Sequence, residues 1–238
     1  MKISALALLS LLLLFAMVET TQAQLINGNF ETGDFTGWTE FNTVGGSTPY
    51  GQEAGGTALY QVVPFDTAGT GSPSYSAEFE VGEVSGVIGG GGLGQGAGIY
   101  QYVPLNAGQL NISLEIAALS PSNNGDAGTF ELLLDGNVVA SNPLGGIDYN
   151  QTIRSTLSYS GVISAGTHQI AIDIRRGGGT EYPDTPFEYL DNIVLSGTAV
   201  PEPAAALFMA VGLATVAFGI QRRQTLRPSP DAAADVEE

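Results

Sequence analysis

Short segments of alternating apolar and polar residues constrain the fold of this chain more than any other feature. In "LNISLEIAAL" (110–119), Ile112, Leu114 and Ile116 fall on one side while polar residues such as Glu115 fall on the other. This alternation is the period of a half-buried β-strand. Similar segments occupy residues 129–134, 169–174 and 189–195, and weaker ones occupy residues 25–30, 58–63, 75–81, 99–103 and 152–159.

Turn signals separate these segments. In "LLLDGNVVA" (132–140) an Asp-Gly-Asn run stands between two apolar runs, which predicts a tight β-hairpin. The glycine-rich stretch 86–98 is predicted to be a loop, since no helix and no Lys-Ser/Thr pair follows it. Roughly ten short strands without helical periodicity predict one all-β domain over residues 24–198, an antiparallel β-sandwich.

The N-terminus has the three parts of a secretory signal peptide. Lys2 gives a positive start, residues 3–18 are apolar, and a short polar segment ends in Thr-Gln-Ala. We therefore predict a signal peptide over residues 1–23, cleaved between Ala23 and Gln24. An uncleaved anchor helix is the alternative. In either case the predicted domain is exported.

The predicted domain is strongly acidic and has no cysteine. Between residues 24 and 200 there are three arginines, no lysine and 18 acidic residues, which gives a formal charge of −15. Such a surface repels nucleic acid, so nucleic acid is excluded as a partner. Disulfides, thiolate nucleophiles and cysteine metal sites are also excluded. The domain must be held together by its own packing or by a bound metal ion.

A second apolar stretch lies near the C-terminus. Residues 204–220 form 17 consecutive uncharged positions, the short end of what a membrane-spanning helix needs. Arg222 and Arg223 follow at once and favour a cytoplasmic location for that end. The sequence therefore predicts a single transmembrane helix with the β-domain outside. The acidic, Pro- and Ala-rich tail 225–238 is predicted to be disordered.

Residues 199–224 resemble the PEP-CTERM sorting signal of Gram-negative bacteria. The order is a Pro-Glu-Pro triplet, an apolar span and a basic pair, formed here by Pro201, Glu202 and Pro203, then 204–220, then Arg222 and Arg223. The resemblance implies recognition by an exosortase, a membrane-embedded protease-transpeptidase. It also implies a link to extracellular polysaccharide or biofilm. The tail after the basic pair is longer than the family usually carries, so a permanent single-pass anchor remains the alternative.

The exported region resembles jelly-roll carbohydrate-binding-like domains of the galactose-binding-like fold. The resemblance rests on "LINGNFETGDFTGWT" (25–39), "IYQYVPLNAGQLNISLEIAAL" (99–119) and "YLDNIVLSG" (189–197). It implies a jelly-roll β-sandwich and a structural calcium ion held between the first and last strands. The matching residues are Glu31 and Asp191. Calcium prefers hard oxygen ligands of this kind, although both residues could instead be solvated strand-end acids.

No residue set in the sequence defines a sugar pocket or a catalytic centre. We expect the single tryptophan, Trp38, to pack under the sandwich. Tyr100 and Tyr102 share a strand face and are expected to serve core or cross-strand packing. His168 is the only histidine, so it has no histidine partner for a metal site. The sequence therefore predicts no enzyme activity, with a hydrolase as the less favoured reading.

These observations predict an exported, non-enzymatic cell-surface or extracellular-matrix protein. Its expected route passes through the inner membrane and an exosortase to the surface of a Gram-negative bacterium. A carbohydrate-binding adhesion module is the main alternative from another functional class, with polysaccharide as its partner. The two readings are compatible, because one describes delivery and the other describes use.

Overall fold

The structure, a computed structural model, describes residues 25–43, 46–47, 60–83, 95–121, 125–177 and 185–199. The chain divides into two compact units, Met1–Ala199 and Val200–Glu238, and all described residues belong to the first. The predicted signal peptide, sorting signal, transmembrane helix and tail lie outside the described residues.

The described residues form strands connected by turns, with no helix among them. Within this part of the chain there is accordingly no helix that is long and apolar enough to cross a membrane. The strands are β1 (Thr39–Asn42), β2 (Gly46–Ser47), β3 (Gln61–Phe65), β4 (Ser74–Phe79), β5 (Gly82–Glu83), β6 (Gln95–Leu105), β7 (Gly108–Leu119), β8 (Thr129–Leu134), β9 (Asn137–Pro143), β10 (Thr152–Ile163), β11 (Gly166–Arg176) and β12 (Phe187–Ala199).

Ten of these strands build two five-stranded antiparallel sheets. The first sheet has the order β1-β6-β11-β8-β9 and the second sheet the order β10-β7-β12-β4-β3, while β2 and β5 form a separate pair. From β7 onward, each strand except β9 lies in the opposite sheet from the strand before it. This alternation is the connectivity of a jelly roll. The prediction of an all-β antiparallel sandwich is confirmed.

The core lies between the two sheets and follows the predicted alternation. On β7, Ile112, Leu114 and Ile116 are almost fully buried, as predicted from the sequence. On β11 of the facing sheet, Ile170 and Ile172 are fully buried as well. Both rows belong to a single cluster of buried apolar side chains. Their removal from water is the main driving force for folding. The domain has no disulfide to add to this stabilisation.

The predicted hairpin is confirmed, and its turn consists of two residues. Asp135 and Gly136 connect β8 to β9 with φ values of 51° and 77°. Two consecutive positive φ angles are typical of a type I′ turn, whose twist matches that of the flanking strands. Aspartate and glycine tolerate this conformation better than most residues.

The predicted strand at residues 25–30 is wrong. This segment forms consecutive turns, because Asn27 and Phe30 have φ values of 53° and 52°, outside the range of a strand. We call residues 25–38 the N-terminal cap. Phe30 is fully buried in the core, and the Ile193 N–H of β12 donates to the Gly28 carbonyl at 2.7 Å. The apolar residues that suggested a strand therefore anchor a cap to the sandwich.

Several other boundaries differ from the predictions; the strand predicted at 75–81, for example, ends at Phe79. The segment predicted at 58–63 is a strand from Gln61 onward, and residues 58–59 lie outside the described part of the chain. The predicted loop 86–98 is wrong in its last residues, since β6 begins at Gln95. A Cβ atom on Gly96 or Gly98 would overlap a backbone carbonyl of β11. Glycine here permits close strand pairing, not a loop.

Candidate functional site

The outward surface of the first sheet carries a row of aromatic side chains. Tyr100 and Tyr102 on β6 alternate with buried residues, so both face away from the core. The ring of Phe41 on β1 lies 6.1 Å from that of Tyr100, and the rings of Tyr100 and Tyr102 are 5.6 Å apart. Tyr102 is 62% exposed. We call Phe41, Tyr100 and Tyr102 the aromatic platform.

The sequence left core packing and cross-strand packing open for the two tyrosines, and the structure shows the second. Tyr100 packs against Phe41 of the neighbouring strand and against Tyr102, and both tyrosines lie on the solvent face. Trp38 behaves as expected. It is 7% exposed, packs beside Phe30, and donates its indole N–H to the Asn27 carbonyl at 3.0 Å. The tryptophan therefore holds the N-terminal cap and is not available to a ligand.

Polar groups follow the platform along the same face. Gln169 on β11 pairs with Tyr102, and Asp173 on β11 pairs with Gly98, the outward residue next to Tyr100 on β6. The Nε of Arg175 lies 2.8 Å from Asp173 Oδ2 and 3.2 Å from an oxygen of Glu131 on β8. Glu131, Asp173 and Arg175 form what we call the charged cluster.

The charged cluster holds Arg175 in a fixed position. Asp173 is 1% exposed, and burial raises the pKa of its carboxyl to about 6, although the charge of Arg175 opposes this rise. Asp173 Oδ1 has no hydrogen-bond partner among the described residues. The Arg175 side chain is about one third exposed. A guanidinium held by two carboxylates can still present N–H donors to a ligand that approaches this face.

The polar part of this face was not predicted from the sequence, although a signal was present. The strand 169–174 was predicted from its apolar residues. The residues that alternate with Ile170, Ile172 and Ile174, namely Gln169, Ala171 and Asp173, were given no role. Period-2 alternation would have placed these residues on the outward face with Arg175 one step further along. It could not have placed them beside Tyr100 and Tyr102, because that depends on the pairing of β11 with β6.

The two predicted calcium ligands come together at the second sheet. Glu31 of the cap accepts the Tyr75 N–H at 3.1 Å, and Asp191 of β12 accepts the hydroxyl of the adjacent Ser74 at 2.6 Å. Asp191 is 1% exposed. Burial is the main cause that raises the pKa of its carboxyl, and the charge of Glu31 raises it further.

These residues match the donor chemistry of calcium only in part. Both carboxylates supply hard oxygens, which calcium prefers, but the ion needs six to eight such ligands. Asp191 already accepts hydrogen bonds at both oxygens, from Ser74 and from the Asn192 N–H. Among the residues with described side chains, no group of three or more histidines, aspartates and glutamates is arranged to hold a metal ion. Backbone carbonyls or water would have to complete the shell.

His168 connects two turns at one end of the first sheet. Its Nδ1 lies 2.7 Å from Asp135 in the β8–β9 turn, and its Nε2 lies 3.0 Å from the Ser164 carbonyl in the β10–β11 turn. The residue is 9% exposed. Both ring nitrogens of this histidine are therefore used in contacts with the two turns.

The remaining predicted site residues lie outside the described residues. They are the signal-peptide cleavage pair Ala23 and Gln24 and the sorting residues Pro201, Glu202, Pro203, Arg222 and Arg223.

No protein-family model matches this sequence, and no curated protein matches it. Among solved structures, it is similar to TmCBM61 in complex with β-1,4-galactotriose, with a TM-score of 0.43 and 14% identity over 74% of this chain and 99% of that one. It is also similar to the CBM22-1 xylan-binding domain of Paenibacillus barcinonensis Xyn10C, with a TM-score of 0.41 and 10% identity over 75% and 96% of the two chains. A third similar structure is the K1 cleaved adhesin domain of Lys-gingipain from Porphyromonas gingivalis W83, with a TM-score of 0.40 and 15% identity over 73% and 96%.

Proposed function

We propose that the β-sandwich is a non-catalytic saccharide-binding domain of an exported surface or matrix protein. The observation that carries this proposal is the aromatic platform of Phe41, Tyr100 and Tyr102. These three aromatic rings lie in a row on the solvent face of a sheet, so they add no apolar contacts to the hydrophobic core. Their apolar faces suit the C–H surface of a sugar ring, while nearby polar groups suit its hydroxyls.

The polar groups beside the platform fit the same role. Gln169 offers an amide donor and acceptor opposite Tyr102, and Arg175 offers N–H donors from a fixed position. A few polar groups around an apolar surface are the usual composition of a small-ligand site. Because the domain carries a formal charge of −15, neutral polysaccharides are better candidates than polyuronates or sulfated glycans.

A glycan array probed with the full chain tests this proposal. We expect binding to at least one neutral polysaccharide without any release of reducing ends. Tyr102→Ala should lower the affinity at least tenfold, which corresponds to about 1.4 kcal/mol. Tyr149→Ala is a matched control, because Tyr149 is 60% exposed but lies in the β9–β10 connection, outside the platform.

The outcomes separate the functional classes. Binding that survives Tyr102→Ala, or that falls equally with Tyr149→Ala, would refute the platform as the site. No binding to any glycan would leave a purely structural role in the matrix. Turnover of a bound glycan would show that the hydrolase reading was the correct one.

Delivery through a PEP-CTERM-type signal is the second part of the proposal. It is supported by the order of the Pro-Glu-Pro triplet, the apolar span 204–220 and the basic pair. Cleavage is expected at or just before the span, since a protease that acts on the periplasmic side cannot reach backbone buried in hydrocarbon. The polysaccharide-rich matrix to which such signals deliver proteins would also provide the ligand.

Mass spectrometry of the protein from its native host tests this delivery. The mature protein should begin at Gln24, end near Pro203 and lack the basic pair. Replacement of Pro201, Glu202 and Pro203 by alanine should leave export intact but retain a full-length form in the inner membrane. A wild-type protein that still ends at Glu238 in cells with an exosortase would support a permanent single-pass anchor instead.

A further inference from the structure

Two glutamates are buried at one end of the sandwich, away from the aromatic platform. Glu80 directly follows β4 and is 1% exposed, and Glu188 near the start of β12 is 0% exposed. Both carboxylate oxygens of Glu80 and Oε1 of Glu188 lack a hydrogen-bond partner among the described residues. A buried, unpartnered carboxylate oxygen costs substantial free energy when the group is charged.

The peptide units around Val81 connect these acids to the rest of the fold. The Val81 N–H donates to Glu188 Oε2 at 3.1 Å, and the Val81 carbonyl accepts from Arg176 Nε at 2.9 Å. Arg176 lies at the end of β11 and is 2% exposed. The segment after β4 is therefore held from both sheets by one buried acid and one buried base.

Three further charged groups among the described residues act on the pair. Arg176 from β11 attracts both glutamates, and Glu78 from β4 repels Glu80. Asp126, just before β8, repels Glu188 and accepts the N–H groups of Gly128 and Gly177.

One guanidinium cannot neutralise this set of buried carboxylates. Burial is the main cause that raises the pKa of Glu80 to about 7, although the charge of Arg176 opposes it. Burial also raises the pKa of Glu188 well above its usual value, again against the charge of Arg176. The charge of Glu80 raises the pKa of Glu188 further, so the titrations of the two acids are linked.

We infer that Glu80 and Glu188 form a proton-binding dyad that fastens the segment after β4, residues 80–83, to the sandwich, and that loss of the proton loosens this end of the domain. The folded state binds the proton more tightly than the unfolded chain does. The stabilisation is therefore fully present below the unfolded pKa of 4.5 and declines as pH rises through about 7. This inference is independent of saccharide binding.

The direct test compares the wild type with Glu80→Gln. Unfolding of the full chain in mild detergent is measured near pH 6 by calorimetry in buffers of different ionisation enthalpy. Both proteins should release protons on unfolding, because the pKa of Asp173 is also raised, but Glu80→Gln should release about one proton fewer than the wild type. Equal proton release by the two proteins would overturn the inference.

Urea denaturation across pH gives the second test. Between about pH 5 and about pH 8 the folding equilibrium constant of the wild type should fall on the order of 100-fold. Glu80→Gln should flatten this decline and be more stable than the wild type at the upper pH. Asp148→Asn, which removes one charge from an exposed turn, should leave the decline unchanged. A Glu80→Gln protein with the wild-type pH dependence would refute the dyad.

Hydrogen exchange of the Val81 amide, corrected for the intrinsic rate at each pH, locates the effect. Protection at Val81 should fall by a larger factor between the two pH values than protection at Leu114 in the middle of β7. Equal loss at both amides would show that the titration acts on the whole sandwich and would contradict the proposed loosening of this end.

Discussion

The Gln101 side chain is the main polar contact between the N-terminal cap and the first sheet, and its replacement gives a quantitative test of that contact. Gln101 lies on β6, faces inward and is 6% exposed. Its Oε1 accepts the Ile26 N–H at 2.8 Å, and its Nε2 donates to the carbonyls of Ile26 at 3.1 Å and Gly37 at 2.8 Å. One amide thus satisfies three backbone groups of the cap.

Gln101→Met keeps the length of the side chain and removes all three hydrogen bonds. At roughly 1 kcal/mol of net stability for each bond, the free energy of unfolding should fall by about 3 kcal/mol. The two carbonyls and the N–H would then be buried without a hydrogen-bond partner. The decrease in the free energy of unfolding should therefore not be smaller than this unless the cap detaches. Detachment would itself expose Phe30, which is fully buried.

Urea denaturation monitored by tryptophan fluorescence measures this change, since Trp38 is the only tryptophan and belongs to the cap. Gln109→Met is the matched control. The Gln109 amide donates to the Ser160 hydroxyl at 2.9 Å in an exposed position, so its loss should cost less than about 0.5 kcal/mol. A Gln101→Met protein within about 0.5 kcal/mol of the wild type would show that the cap contributes little to the stability of the sandwich.

Three further predictions concern other parts of the domain. Gly98→Ala should destabilise the protein by about 2 kcal/mol or more in denaturant titration, because the added Cβ would overlap the Ile172 carbonyl of β11; wild-type stability would show that this strand pair can separate at little cost. Asp135→Asn should lower the melting temperature at neutral pH, and the difference from the wild type should vanish in acid. The contact with His168 lowers the pKa of Asp135, so the stabilisation is lost as pH falls through that lowered pKa; a difference that persists in acid would refute this account. Millimolar calcium should raise the melting temperature and Glu31→Gln should abolish the rise, whereas an identical melting temperature in calcium and in chelator would remove the proposed ion.

Much of the fold could be predicted from the sequence because alternation is a local property. The strand predicted at 110–119 and the one found at 108–119 differ only at one end, and the strand at 129–134 has the predicted bounds. The β8–β9 turn was equally predictable, since Asp-Gly favours the positive φ angles that this turn needs.

The errors arose where tertiary contacts override local pattern. Residues 25–30 contain enough apolar side chains for a strand, but hydrogen bonds from Gln101 and from β12 hold them in turns. Tyr100 and Tyr102 could be placed on one face of β6 from their spacing. Which face points to solvent depends on how the two sheets pack, and the sequence alone does not contain that information.

The position of β12 has a mechanical consequence. This strand is central in the second sheet and pairs with β7 from Phe187 to Ala199, with a register shift between Asp191 and Val194. A pull on the chain just after Ala199, directed along the strand, would load most of this ladder at once in shear. Hydrogen bonds that must break together resist force far better than bonds that unzip one by one. If residues after Ala199 tether the domain and the platform on the opposite sheet holds a polymer, tension between the two points would cross the core and would not peel off an edge strand.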